Sequence, residues 1–556
     1  MPVHDVYVEV GADGECMAHV LDLPGCISRG HSQQEALDGV PAAITRYQGW
    51  LEQHGERLDS TAIESITVCV VQTIEGAVPF RHGDRAALFQ PDQIPLQPEH
   101  IERYFRLSDY ARADLLRAAR GVPPAILRWK LDAGAMSIQE ILRHVGNSEQ
   151  WYVSRVVPRE SLPPEWEHDH ALPLRAFLRM ERSTAQHRLH QMGDRERTEV
   201  AFPTAWTDHP DEPWTARKAL RRMIEHELEH TEHVYEVLRC WRAQLRARLA
   251  AERAGLLHAL TGLDRTTLSS RLVIEDWNAV DLLAHVASWD EFFTERIEEH
   301  LAGRHNAIEQ VDLDQRNART HVDREDWTLE RSIEACVQAR KRFLDALARM
   351  DDTHLHAANA VPWGGQSIRA WTEWRGQHDH EHTREIMTWR RREVVDVPTG
   401  PAVVLAAYLR AARKELLTVV ALVPAHRRAT QPLTQSSTLQ EWLGRLSEQE
   451  QELLAELRTG PVATQPEWRS AGTAPQDSWE DTWSTFHTVH NTVLRAVANT
   501  TEAQLAVPCR QSEQPTDTIY QHVLAVGERD QRLAAELRSA LGLRVPRRLL
   551  ARQVPE

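Results

Sequence analysis

Apolar residues recur along this chain with two different periods. Up to about residue 75 the pattern is that of short strands around one helix. Val6-Tyr-Val-Glu-Val10 is β-rich and runs into the turn Gly11-Ala-Asp-Gly14. Ala18–Leu21 is a second strand candidate, and the loop Asp22-Leu-Pro-Gly-Cys26 leads to a third, Ile27–Gly30. Ser32 and Glu35 form a capping box for a helix to about His54, with Ala36, Val40, Ile44, Tyr47 and Leu51 at helical spacing. Pro41 predicts a kink or break within it. Ile66–Val71 is a further strand, so the order is strand, strand, strand, helix, strand.

Beyond about residue 95 the spacing is helical almost throughout. Leu282, His285, Trp289 and Phe292 share one helical face, and Trp371, Trp374, His378, His382, Ile386 and Trp389 mark another. Ile141, His144, Ser148 and Trp151 repeat the first face, and Met223, Ile224, Tyr235 and Leu238 mark a stripe with His226 and His230 at its edge. Histidines that interrupt apolar stripes point into a bundle. Three helices open alike: Ser137-Ile-Gln-Glu140 before His144, Asn278-Ala-Val-Asp281 before His285, and Thr438-Leu-Gln-Glu441 before Arg445. His285 lies 141 residues after His144, and Arg445 lies 160 after His285. A repeat of that length is a domain, not a solenoid unit. Each copy holds four helical stretches, which in the second fall at roughly 243–262, 278–303, 327–350 and 366–391. The expected fold is mainly α: a small α+β domain (1–88), then three tandem four-helix bundles (97–242, 243–396, 400–545). Pro91, Pro95 and Pro98 predict a linker after the first domain, and Pro398–Pro401 a break before the third bundle. No Pro or Gly lies between Glu225 and Ala254, so the first bundle's last helix is expected to run almost directly into the second's first.

Composition narrows the function classes. A length of 556 residues is too long for one core. The net charge of −16 argues against nucleic acid or an anionic membrane as partner. No apolar run reaches the ~20 residues of a membrane span, and the N-terminus lacks a signal pattern, so the expected location is the cytoplasm. The six cysteines form no CxxC and read as isolated thiols. Tryptophan (18) outnumbers phenylalanine (9) and tyrosine (8), as wide side chains walling a cavity, or simply filling a core, would require.

The histidines carry the candidate chemistry. A four-residue separation stacks His378 on His382 and His226 on His230. With His285 and His144 from facing helices, each of two bundles gathers three imidazoles, which leave a divalent cation open positions. His233 competes with His226 as a ligand, although Glu385 aligns with His233. In the third copy Arg445 holds the first ligand position, and His522 has Val526 where a second histidine would stack. That bundle is expected to be metal-free. Glu227, Glu229, Asp379, Glu381, Glu149 and Asp290 are acid/base candidates or orienters of the ligands, and Trp289, Trp371 and Trp374 candidate pocket walls.

Trp277–His285 with Trp289, His378-x-x-x-His382-Thr, Ser137–His144 and His226–Thr231 resemble the DinB-like superfamily over roughly residues 97–545. The resemblance implies metal-binding four-helix bundles, some of them thiol-dependent transferases or isomerases. It implies ligands His144, His226, His230 and His285, His378, His382, up to two zinc, nickel or iron ions, and a low-molecular-weight thiol. The first strand, Asp22–Cys26, Gly30 and Glu35-Ala36 resemble the HicB-like antitoxin fold, which implies a protein partner. Two functions follow as expectations: thiol transfer or hydrolysis on a small electrophile, in detoxification or self-protection; or ligand sensing without catalysis.

Overall fold

The computed structural model describes residues 3–56, 66–76, 87–130, 134–167, 172–304, 312–351, 355, 367–393, 401–423, 425–429, 432, 437–459, 478–509 and 518–541. Two compact units emerge: Met1–Lys130 with Met136–Val237, and Leu131–Ala135 with Leu238–Glu556.

The first unit opens with a four-stranded sheet built from β1 (Val3–Val10), β2 (Cys16–His19), β3 (Ile27–Gly30) and β4 (Thr67–Glu75). The order is β3-β2-β1-β4, with β1 antiparallel to β2 and parallel to β4. Ser32 caps α1 (Gln33–Asp38), accepting from Glu35 N at 3.2 Å. The chain then breaks at Gly39 and resumes as α2 (Val40–Gln53). Pro41 falls in the first turn of α2, where its missing N–H costs nothing. The long helices that follow are α3 (Pro98–Ala118), α4 (Ile138–Ser154), α5 (Leu174–His190) and the first part of α6 (Ala216–Leu260).

The stretch around Pro91, expected as a linker, is packed instead. Phe89 and Leu96 are buried, and the buried Asp92 carboxylate accepts from Arg221 Nε at 3.0 Å and Nη2 at 2.8 Å. One apolar cluster joins Val6, Val8 and Ile44 to Tyr104, Tyr152, Trp214 and Ile224. The α+β segment therefore shares a core with the first bundle and is not a separate globule. The loop Asp22–Cys26 makes the junction: Gly25 sits at φ +106, and a Cβ there would lie 2.8 Å from Ile224 Cγ2 and 2.9 Å from Leu228 Cδ1.

The second unit contains the rest of α6, α7 (Ala279–Leu301), α8 (Leu313–Asp323), α9 (Leu329–Ala348) and α10 (Ile368–Glu393). The short α8 had no forecast in the pattern because it buries none of its residues. A hairpin of β5 (Leu272–Ile274) and β6 (Trp277–Asn278) precedes α7. Then come α11 (Ala402–Val420), α12 (Leu439–Thr459), α13 (Trp479–Ala498) and α14 (Ile519–Ala540). Leu257, Leu282, Trp389, Tyr408, Val493 and Val523 belong to one apolar cluster, so the second and third sets of helices pack as a single body. The expected boundaries at 396, 400 and 545, and Pro398–Gly400, lie outside the described residues. None of the described helices is long and apolar enough to cross a membrane.

Candidate metal centres

The caps set the register of each candidate site. Ser137 Oγ accepts from Glu140 N at 3.2 Å while Ser137 N donates to Glu140 Oε2 at 2.8 Å. Asn278 and Asp281 reciprocate in the same way at 3.2 and 3.1 Å, and Thr438 and Glu441 at 3.2 and 2.8 Å. Two turns into each helix stand His144, His285 and Arg445.

His226 and His230 on α6 complete the first set, and His378 and His382 on α10 the second. In each, the three ligand nitrogens lie within 4.8 Å of one another. His144 Nε2 is 3.0 Å and His230 Nε2 3.1 Å from His226 Nε2. His285 Nε2 is 3.1 Å and His382 Nε2 3.3 Å from His378 Nε2. Imidazoles at about 2.0–2.1 Å from a shared cation have about this mutual spacing. His233 stacks on His230, with ring centroids 5.7 Å apart, and is not in the set. The second set is the more buried, as the apolar stripes predict.

Burial pushes five of these rings, His144, His226, His230, His285 and His378, toward the neutral form. Burial, then His144, pushes His230 down to about 3. Burial, then His382 and Arg375, pushes His285 down to about 2. Burial drives His226 well below the usual range with help from His230, and does so to His378 with help from Arg375. The groups behind the ligand rings differ. Glu385 Oε2 lies 2.7 Å from His382 Nδ1, the orienting contact typical of ligand histidines. Arg375 Nη1 lies 2.8 Å from His378 Nδ1. A guanidinium only donates, so this contact must open and Nδ1 must take the ring proton before His378 Nε2 can serve a cation.

A cleft with about 10 Å³ of free space, enough for about one water, opens on His285. Trp277, Asp281, Asn317, His321 and Arg324 line it. The Trp277 ring is 4.6 Å from that of His285 and stacks on His321 at 6.0 Å, and Asp281 Oδ1 is 3.8 Å from His321 Nδ1. The expected walls are elsewhere. Trp289 and Trp374 touch the rings of His285 (6.5 Å) and His378 (5.1 Å) without lining the cleft, and Trp371 is buried against Phe293 at 4.9 Å. Asn317 and His321 come from α8 and Arg324 is its C-cap, and the weak pattern of that helix concealed them.

The acid/base candidates are corrected. Asp290 and Asp379 are wholly buried and sandwiched by arginines. Arg253 reaches Asp290 at 2.7 Å and Asp379 at 3.0 Å; Arg340 reaches each at 2.8 Å; Arg375 reaches them at 2.9 and 3.2 Å. Burial pushes the Asp290 carboxyl up, but Arg340, Arg253 and Arg375 together hold it below the ordinary range. Glu149 and Glu227 are bridged in the same way by Arg112 and Arg182. Glu229 pairs with Arg29, and Glu381 is exposed beside Gln377. Asp290, Asp379, Glu149 and Glu227 brace helices, and none of the six lines the cleft on His285.

The braces expose an exact internal repeat. Arg112, Arg253 and Arg413 are separated by 141 and 160 residues, as are Glu149, Asp290 and Glu450. Both intervals are those of His144, His285 and Arg445. On the last helices Glu227, Asp379 and Asp530 correspond, each directly after the first residue of the histidine pair or its counterpart. Arg413 contacts Asp530 at 2.5 Å and Glu450 at 2.6 Å, and His490 replaces the second arginine, 2.7 Å from Glu450. The third copy's ligand positions are therefore Arg445, Arg529 and Leu533, not His522, whose Nδ1 lies 3.2 Å from Cys509 Sγ.

Comparison with known proteins agrees with this partition. The model of the DinB superfamily matches residues 108–234 and 248–386. A 65-residue stretch, 12% of the chain, is 34% identical to the UPF0150 protein Ta0767 of Thermoplasma acidophilum and spans 94% of that protein. No solved structure matches. Two DinB superfamily domains, residues 108–234 and 248–386, thus stand in tandem in this chain, and each contains one whole histidine triad.

Proposed function

We propose that the second bundle holds a divalent cation on His285, His378 and His382 and acts on a small electrophile by thiol transfer or hydrolysis. The observation that carries this reading is the convergence of three Nε2 atoms on a point beside a water-sized cleft that contains a titratable side chain. The donor set suits zinc, nickel or iron(II), which favour imidazole. When bound, such a cation supplies Lewis acidity at its open positions. The chain's own groups do the rest. Trp277 excludes water from one side of the cleft. His321, backed by Asp281, takes the proton from the attacking thiol or water and returns it to the leaving group. The first triad is a second, more exposed centre, and the third bundle is a copy that has lost its ligands to Arg445, Arg529 and Leu533.

The test is loading with zinc, nickel and iron(II), then turnover of monobromobimane with cysteine or glutathione. Loaded protein is expected to accelerate the reaction over metal-free protein, and His321→Gln to lower kcat while metal content stays unchanged. A chain that takes up none of the three metals sinks the reading.

A second reading, ligand sensing, is favoured by one observation. His19 lies 3.1 Å from Glu225, Arg29 ion-pairs with Glu229, and Gly25 packs on Leu228, so the sheet grips the helix on both sides of His226. The α+β segment, taken as HicB-like with its own protein partner, would then register occupancy of the first triad. Loaded protein that catalyses nothing but shows changed hydrogen exchange in β2 and β3 favours this reading.

A further inference from the structure

Within the second unit a cavity of about 290 Å³ lies between helices α6 and α9 of the second bundle and α11 and α13 of the third. Arg253, Arg340, Lys341, Arg410, Arg413 and Lys414 line it, together with His487 and His490, and among the described residues no aspartate or glutamate does. Between these cations the wall is apolar, formed by Leu344, Leu417 and Leu494. Carboxylates stand behind several of the cations. Asp290 and Asp379 engage Arg253 and Arg340, Glu334 meets Arg410 at 3.3 Å, and Asp345 is 3.8 Å from Lys414. Two donors, Arg413 Nη1 and Lys341 Nζ, and one ring nitrogen remain. Arg413 Nη1 and His490 Nε2 are buried without a hydrogen-bond partner, on side chains only 5% exposed. Lys341 is exposed at the rim and forms no ion pair among the described residues.

The repeat explains why room exists. His490 stands where Arg182 and Arg340 complete the braces of the other two bundles. An imidazole is shorter than a guanidinium, so the third brace is left with unspent donors. A buried donor without a partner is costly, and an anion would relieve Arg413 Nη1, with His490 Nε2 joining it when that ring holds both protons.

We propose that this cavity binds a small organic anion, with a carboxylate or phosphate headgroup at Arg413, His490 and Lys341 and an apolar body along Leu344, Leu417 and Leu494. The site is separate from both histidine triads and does not depend on a metal.

Calorimetric titration of the full chain, zinc-loaded and metal-stripped, tests it with octanoate, octyl phosphate, octanol and inorganic phosphate. Saturable binding of one octanoate or one octyl phosphate per chain is expected, equal in both metal states, and either anion supports the site while naming its headgroup. Octanol and inorganic phosphate should each bind about tenfold or more weakly, because each lacks half of the recognised chemistry. Lys341→Glu, at an exposed position that leaves helix content unchanged, should weaken the anion by about tenfold or more. Octanol binding as tightly as octanoate, affinity unchanged in Lys341→Glu, binding to zinc-loaded protein alone, or no saturable binding would each overturn the proposal.

Discussion

The second and third bundles share a skeleton and differ in what is mounted on it. Both open their second helix with a reciprocal cap, and both join an arginine on the first helix to carboxylates on the second and fourth. In the second, the positions beside those carboxylates carry His285, His378 and His382; in the third, Arg445, Arg529 and Leu533. Brace and ligand set are thus independent layers of one repeat. The brace specifies a bundle, and three side chains decide whether that bundle can hold a cation.

The largest expected effect is on metal content. Wild type should load two divalent ions per chain, and His285→Ala and His144→Ala one each, because an open site with two imidazoles loses most of its affinity. Elemental analysis after gel filtration decides this, and two ions retained in His285→Ala would detach the metal from the second triad. Removing one member of a brace comes next. Asp290→Ala leaves Arg253, Arg340 and Arg375 facing one carboxylate, and should cost about 3–5 kcal/mol in urea denaturation. Asp530→Ala, at the third bundle's equivalent of Asp379, should cost less, since among the described residues a single arginine contacts Asp530. Equal losses would mean that the two braces are not graded by charge.

The third expectation concerns pH in the metal-free protein. Burial holds His285 at about 2 and His230 at about 3, against 6.5 for a free imidazole. The unfolded chain therefore takes up protons first as pH falls. The stability this imposes is complete above about pH 6.5 and is lost progressively below it. Urea midpoints between pH 7.5 and 5 should fall, with a flatter slope in His285→Ala; parallel slopes would contradict the burial. The smallest effect is at the carboxylate behind His382. Glu385→Gln weakens the orienting contact on His382 and should lower metal affinity about 10- to 100-fold without unfolding the helix. The first bundle has His233 at the equivalent position, so its affinity should be indifferent to that substitution.

Helical periodicity, caps and the two His-x-x-x-His pairs made the bundles and both triads legible in the sequence, because each is a local pattern read within one or two turns. Two kinds of feature were not. The roles of Asp290, Asp379, Glu149 and Glu227 depend on Arg253, Arg340, Arg112 and Arg182, whose partners lie between 33 and 126 residues away. A carboxylate next to a ligand looks catalytic until its far partner is known. The repeat intervals of 141 and 160 residues held the clue, since the arginines and carboxylates keep the same spacing as the histidines. The packed Phe89–Leu96 stretch was hidden for a different reason. Three prolines mark irregular backbone, but irregular backbone can still be buried when Asp92 and Arg221 satisfy each other.

The caps have a consequence for how these domains tolerate change. An α-helix turns by about 100° per residue, so the cap fixes the angle at which each histidine leaves its helix. Ser137 and Asn278 each stand seven residues before their imidazole, close to two full turns. A single inserted or deleted residue between cap and histidine would swing the ring toward a neighbouring face while leaving the helix, its cap and its composition intact. Length variation between these two points is therefore forbidden in any copy that must keep its ion. The third copy keeps the same interval to Arg445, and so retains the phase of a site whose donors it no longer has.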